Sequence, residues 1–195
     1  TWCSVRAVID AERELRLRTL ADRVVEPVRR YLARRCDAAT ADEVLGDVLV
    51  VCWRRLDEVP SEPAESIPWA IGVARNLLAN AERAQRRRDR LTAKVIALDP
   101  PPLAVLDAGD GEPTDDAIAV RDALTRLRRD DAELLRLWAW DELESPQLAT
   151  VLGISANAAA IRLHRAKKRL ADELRKSAGP AGHVGSEEGS TDARR

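Results

Sequence analysis

Phenylalanine and methionine are missing from this 195-residue chain, and Tyr31 is its one tyrosine. The apolar content is mostly Ala, Leu and Val, which pack on helices and leave little β-strand signal, so an all-α protein is expected. Cysteine is sparse. Cys3, Cys36 and Cys52 are odd in number and lack C-x-x-C spacing, which argues against a disulfide framework or a zinc site and suggests reduced, mostly buried thiols. No run of about 18 apolar residues occurs, and the N-terminus lacks a basic-then-apolar signal pattern. The expectation is a cytoplasmic protein with no membrane insertion. Lysine is scarce too: of 32 basic residues only Lys94, Lys167, Lys168 and Lys176 are not arginine. Positive charge therefore rests on guanidinium groups, which bind phosphate bidentately, although an Ala- and Arg-rich chain also fits a GC-rich coding sequence.

What charge there is, is segregated. The formal net charge of −1 hides two basic stretches. The first carries Arg83, Arg86, Arg87, Arg88, Arg90 and Lys94 against Asp89 alone; the second carries Arg162, Arg165, Lys167, Lys168, Arg169, Arg175 and Lys176 against Asp172 and Glu173. Between them, Asp99 to Asp116 holds Asp99, Asp107, Asp110, Glu112, Asp115 and Asp116 and no Lys or Arg. Two contacts on one polyanion would suit this pattern, and two solvated helix faces are the plain alternative.

The pattern divides into two helical domains joined by an extended acidic linker. Residues 1–96 read as the first module, 97–114 as a Pro/Gly-rich acidic linker, 115–176 as the second module and 177–195 as a disordered tail. In the first module a long amphipathic stretch from about Asp10 to Arg35 should be kinked by Pro27. Thr40 with Glu43 has capping-box spacing for a second helix with Val44, Leu45, Val48, Leu49, Cys52 and Leu56 on one face. Asp57 to Pro68 carries three prolines and reads as a loop, after which Ser66 and Pro68 open a helix through Trp69, Val73 and Leu77. In the second module, helical pattern breaks near Arg129 and restarts after Asp130, where Glu133 has cap-like spacing.

The strongest local signal is SPQLATVLGISANAAAIRLHRAKKRL, Ser145 to Leu170. Ser145 and Pro146 can start a short helix, Gly153 can end it at positive φ, and Ser155 can cap the next. Ala149 and Gly153 are small where two helices would cross, and Leu148, Leu152, Ile154, Ala159, Leu163 and Ala166 supply a shared core. This is helix-turn-helix spacing. Its second helix would turn Asn157, Ala158, Ala160, Ile161, Arg162 and Arg165 outward, as a major-groove reader requires. The plain alternative is a helical hairpin with a basic solvent face.

With these blocks in this order, the chain resembles the bacterial extracytoplasmic-function sigma factors of the sigma-70 family over about residues 20 to 175. ALTRLRRDDAELLRLWAWDEL, LATVLGIS and RLHRAKKRL resemble the family's region four. ADEVLGDVLVVCWRRLDEV and PWAIGVARNLLANAERAQRRR resemble its region two. Gly46, Leu49 and Asn80 stand where the family usually has Gln, Phe and Asp, and Ala158 and Ala160 where it has Thr and Lys. Losing that hydroxyl and ammonium should remove one or two DNA contacts, each worth up to about 1–3 kcal/mol if it reads a base.

The resemblance implies a non-enzymatic protein that binds core RNA polymerase through its beta and beta-prime subunits and directs it to promoters. Asp42, Glu43, Leu45, Asp47, Val48 and Leu49 would dock on the polymerase, although burial in their own domain accounts equally well for the apolar members. Trp69, Arg75, Asn76, Asn80, Arg83, Arg86 and Arg87 would hold single-stranded promoter DNA, and the Asp57–Pro68 loop would capture a flipped base. Trp69 reads as readily as a core residue at a helix start. Ser155, Asn157, Ala158, Ala160, Ile161, Arg162, Arg165 and Lys168 would contact duplex DNA. An anti-sigma factor is a further candidate partner. No cofactor or metal is implied: His164 and His183 have no neighbouring catalytic or ligating arrangement. Two other readings stand beside this one. A stand-alone helix-turn-helix regulator would bind duplex DNA without polymerase, and a sequestering protein would support no promoter-dependent transcription.

Overall fold

The computed structural model describes residues 2–93 and 114–177, and among them are seven helices and no strand. The linker, apart from Thr114, and the tail, apart from Ser177, lie outside the described residues. Helices α1 (Trp2–Ala33), α2 (Ala38–Arg54) and α3 (Pro63–Ala93) pack against one another as a first layer. Helices α4 (Asp115–Arg126), α5 (Arg129–Ala139), α6 (Ser145–Leu152) and α7 (Ala156–Ser177) form a second, with α4, α5 and α6 all resting on α7.

The helix starts differ from the sequence expectation in instructive ways. α1 begins well before Asp10 and continues through Pro27, whose ring removes a single N–H while Val24, Val28, Tyr31 and Leu32 stay buried on one side. α2 is capped three residues earlier than Thr40: Asp37 accepts from the Thr40 N–H at 3.0 Å and from its hydroxyl at 2.8 Å. These bonds hold the exposed Asp37 carboxyl below its usual pKa. α3 starts at Pro63, so the loop is shorter than expected and Pro68 lies inside the helix. Ser66 is not a cap but a buried helical residue whose hydroxyl donates back to the Pro63 carbonyl. Thr114 caps α4 through the Ala117 N–H, and α5 starts at Arg129, which leaves Asp130 in its first turn rather than at a cap.

The two layers share a core. Val24, Val28, Leu32, Val48, Cys52, Ile71 and Ala74 belong to the same apolar cluster as Leu134, Leu137, Leu148 and Val151. Each fully buried Leu or Val contributes roughly 1.5–3 kcal/mol relative to exposure. Helices α3 and α6 make the seam, and it is close: a Cβ on Gly72 would sit 3.4 Å from the Val151 Cα and carbonyl oxygen. Polar groups rim the seam. Gln147 donates to the Ala64 carbonyl at 3.4 Å, Arg129 pairs with Glu82 at 2.6 Å, and Tyr31 of α1 and Arg35 just past its end reach Glu133 of α5.

Candidate nucleic-acid interface and partner face

The helix-turn-helix forms as its turn chemistry requires. α6 opens with Glu144, not Ser145, at the cap, and the Gln147 side chain accepts from the Glu144 N–H at 2.9 Å. It ends on Gly153 at φ 65°, ψ 38°, where the Ile154 N–H reaches back to the Ala149 carbonyl at 3.1 Å. Gly153 serves the backbone alone, because a Cβ there would meet nothing within 4 Å. The close helix approach expected at this glycine occurs at Gly72 instead. Ser155 caps α7 by accepting from the Ala158 N–H at 3.2 Å, so its hydroxyl has a structural task.

Leu163, Ala159 and Ala166 turn α7 inward, and Asn157, Ala160, Ile161, Arg162, Arg165 and Lys168 are exposed on its outer side; Ala158 is half-buried. The basic residues of this helix divide by partner. Arg169 pairs with Asp131, Arg175 with Asp172, and Lys176 with Glu173 at 2.7 Å. Lys167 lies 3.4 Å from the centre of the Trp138 ring. Among the described residues, the side chains of Asn157, Arg162, Arg165 and Lys168 have no hydrogen bond or ion pair, so this is the part of the basic stretch presented to solvent.

On α3, Asn76, Asn80, Arg83 and Arg87 recur at helical spacing and form one exposed stripe. Asn80 accepts from Arg83 at 2.6 Å, which orients that guanidinium along the stripe. Arg86 is also exposed but is engaged with Glu82 at 2.8 Å. Arg75 is half-buried near Tyr31, toward the seam rather than on the stripe. Trp69 is half-buried, with the Arg55 guanidinium 5.7 Å from its ring centre, so the end of α2 sits against it.

α2 separates the expected polymerase-facing residues into two sets. Asp42, Glu43 and Asp47 are exposed and Leu49 is half-buried, whereas Leu45 and Val48 are buried in the chain's own core. Val50 and Trp53, which the sequence pattern did not single out, are exposed and continue the strip beyond Leu49. Their signal was present as apolar residues at helical spacing on the outer side, masked by the equally apolar inner face. Cys52 is buried and Cys36 half-buried, and burial pushes the Cys36 thiol up to about 11, which suits structural thiols rather than nucleophiles.

This geometry defines a two-layer helical protein with a helix-turn-helix whose second helix is basic and exposed. Residues 117–170, from α4 into α7, match the family model for sigma-70 region 4. The probable RNA polymerase sigma factor RfaY of Xanthomonas campestris pv. campestris is 30% identical over 148 residues, a match covering 73% of this chain and 36% of that protein. The ECF RNA polymerase sigma factor SigL of Mycobacterium tuberculosis is 25% identical over 155 residues, covering 79% of this chain and 86% of SigL. Among solved structures, the sigma factor RpoE of Bartonella quintana, in complex with the anti-sigma factor NepR, superimposes with a TM-score of 0.51 at 20% identity, over 86% of this chain and 96% of RpoE. Region 4 of the sigma-70 family thus lies on residues 117–170, and along most of its length the chain is similar to sigma factors, the extracytoplasmic-function factor SigL among them. It spans little more than a third of RfaY's length.

Proposed function

We propose that this chain binds core RNA polymerase and directs it to promoters, where it supports strand opening and transcription initiation. The observation that carries the reading is the region 4 match lying on a formed helix-turn-helix whose recognition helix keeps Asn157, Arg162, Arg165 and Lys168 exposed. Those side chains would hold duplex DNA, with Ala160 and Ile161 against base edges. The α3 stripe of Asn76, Asn80, Arg83 and Arg87 would track the opened strand, and the α2–α3 loop would take an unpaired base beside Trp69. On α2, the acids Asp42, Glu43 and Asp47 with Leu49, Val50 and Trp53 make a polar and apolar strip suited to an Arg-rich partner surface such as the polymerase clamp. An anti-sigma factor is the second partner class, by analogy with the RpoE–NepR complex.

Reconstitution with core polymerase tests the reading. The chain should co-purify with core enzyme and confer specific initiation on genomic templates, and Asp42→Lys, Glu43→Lys and Asp47→Lys together should weaken that association with helical content unchanged. Duplex binding without polymerase association would favour a stand-alone regulator, and no promoter-dependent transcription would favour a sequestering role.

A further inference from the structure

Three arginines of α1 converge on the short connection between α2 and α3. Arg13 donates to Asp57 Oδ2 at 2.9 Å and to the Trp53 carbonyl at 3.3 Å; Arg16 donates to Asp57 Oδ1 at 3.2 Å and to the Leu56 carbonyl at 3.2 Å. Arg23 donates to the Ser61 carbonyl at 2.9 Å. Each of the first two guanidiniums thus bridges one oxygen of the same carboxylate and one backbone carbonyl: Trp53 in the last turn of α2, where a helix leaves carbonyls without intrahelical partners, and Leu56 just beyond it. Only a fork with several N–H groups in fixed geometry makes both bonds at once; an ammonium is a single point charge. Asp57 is held below the usual carboxylate range by the Arg13 and Arg16 guanidiniums, so it is charged at neutral pH.

Within the loop itself, Glu58 bonds back to Arg55 through both its carboxylate and its N–H, while the bonds from outside it come from α1. Leu56 and Val59 are the loop's buried anchors, while Asp57, Glu58, Ser61 and Glu62 are exposed. Exposed ion pairs contribute little to global stability, and here they converge on one loop. Their physical effect is to remove conformations from the segment before any ligand arrives.

We propose that Arg13, Arg16 and Arg23 are positioning residues that preorganise the α2–α3 loop for the unpaired promoter base. This rests on the sigma-factor reading above. The arginines act through the loop backbone and Asp57, not by touching the nucleic acid.

The test uses the full chain with core polymerase and single-stranded oligonucleotides carrying the non-template strand of a promoter it initiates from, with all four bases placed in turn at each position. Wild type should show one position whose base preference depends on the loop, identified by its loss in Ser61→Pro. In Arg13→Lys/Arg16→Lys, which keeps the charge but not the fork, preference at that position should flatten by about five- to tenfold while preferences elsewhere and the salt dependence of binding stay unchanged. Asp57→Asn should reproduce the effect, and it keeps the test open if the double variant folds poorly. Uniform loss at every position, a reduced salt slope, or unchanged preference in both variants would overturn the proposal. If wild type shows no base preference at any position, the base-capturing role itself fails, and this inference falls with it.

Discussion

Arg35 Nη2 lies 2.9 Å from Asp141 Oδ2, with both side chains almost wholly buried, at 7% and 4% exposed. This pair ties the end of α1 to the residue beyond α5 and so spans the seam between the two layers. It does not stand alone: Glu133 Oε1 is 3.3 Å from Arg35 Nε, Tyr31 donates to Glu133 at 3.2 Å, and Arg34 donates to the Trp140 carbonyl at 2.6 Å. Burial alone would lower the Arg35 pKa, but Glu133, Tyr31 and Asp141 together raise it, so the guanidinium stays charged at any ordinary pH. Removing Arg35 leaves two buried carboxylates, Asp141 and Glu133, without their shared guanidinium. Arg35→Met should therefore destabilise the protein by about 3–5 kcal/mol in denaturant unfolding, and adding Asp141→Leu and Glu133→Gln should recover most of that loss. Equal losses in the single and triple variants would show that packing, not charge, governs the seam.

The acids respond to pH with opposite sign. Burial raises the Asp141 carboxyl above its ordinary value, against the pull of Arg35. A raised carboxyl favours the folded state at pH below its unfolded value, and that contribution is lost as pH rises through the folded value. Asp37, lowered by its bonds to Thr40, contributes at pH above the unfolded value and loses its contribution as pH falls through the folded one. As pH falls, the stability difference from wild type should grow for Asp141→Asn on the side above the ordinary aspartate value of about 3.9, and should shrink for Asp37→Asn on the side below it. Thermal unfolding on both sides measures both slopes.

Two glycines should fail for different reasons. At Gly72 a Cβ would just touch the Val151 backbone at 3.4 Å, so Ala should be tolerated, while Leu should force α3 and α6 apart at about 1–3 kcal/mol. At Gly153 there is open space but φ is 65°, so Gly153→Ala should cost about 1–2 kcal/mol through backbone strain alone. Gly153→Asn should cost less, since Asn tolerates the left-handed region. Chemical denaturation of the four variants separates crowding from strain.

The helix-turn-helix was legible because its signals are local. Gly153, Ser155 and the inward spacing of Ala159, Leu163 and Ala166 lie within a few residues of the bonds they make. The helix starts were less legible. Asp37, Glu144 and Pro63 begin helices that Thr40, Ser145 and Ser66 were equally suited to begin, and tertiary packing chose between them. What could not be read were pairings across the chain. Arg35 and Glu133 are 98 residues apart and Arg13 and Asp57 are 44 apart, and a charged residue on a helix carries no mark of whether it will meet solvent or a distant carboxylate. The same limit applied to Leu45 and Val48, which only the fold assigns to the core.

The two exposed basic surfaces should divide the work on DNA. On α7, Arg162 and Arg165 have no partner among the described residues, so replacing them takes charge from the surface without breaking an internal bond. Arg162→Ala/Arg165→Ala should weaken attachment to duplex promoter and lower the log–log salt slope by roughly 0.9 for each phosphate no longer neutralised. Strand opening by complexes that do form should be spared. On α3, Asn80 orients Arg83, and the stripe they share with Asn76 carries fewer charges. Replacing Asn76, Asn80 and Arg83 with Ala should leave the duplex salt slope nearly unchanged and reduce permanganate reactivity of thymines in the opened region. A premelted bubble template should rescue the α3 variant and not the α7 variant. Equal loss of duplex binding in both, with no rescue by the bubble, would mean that one surface does all the binding, and the α3 stripe would then lose its assignment to the opened strand.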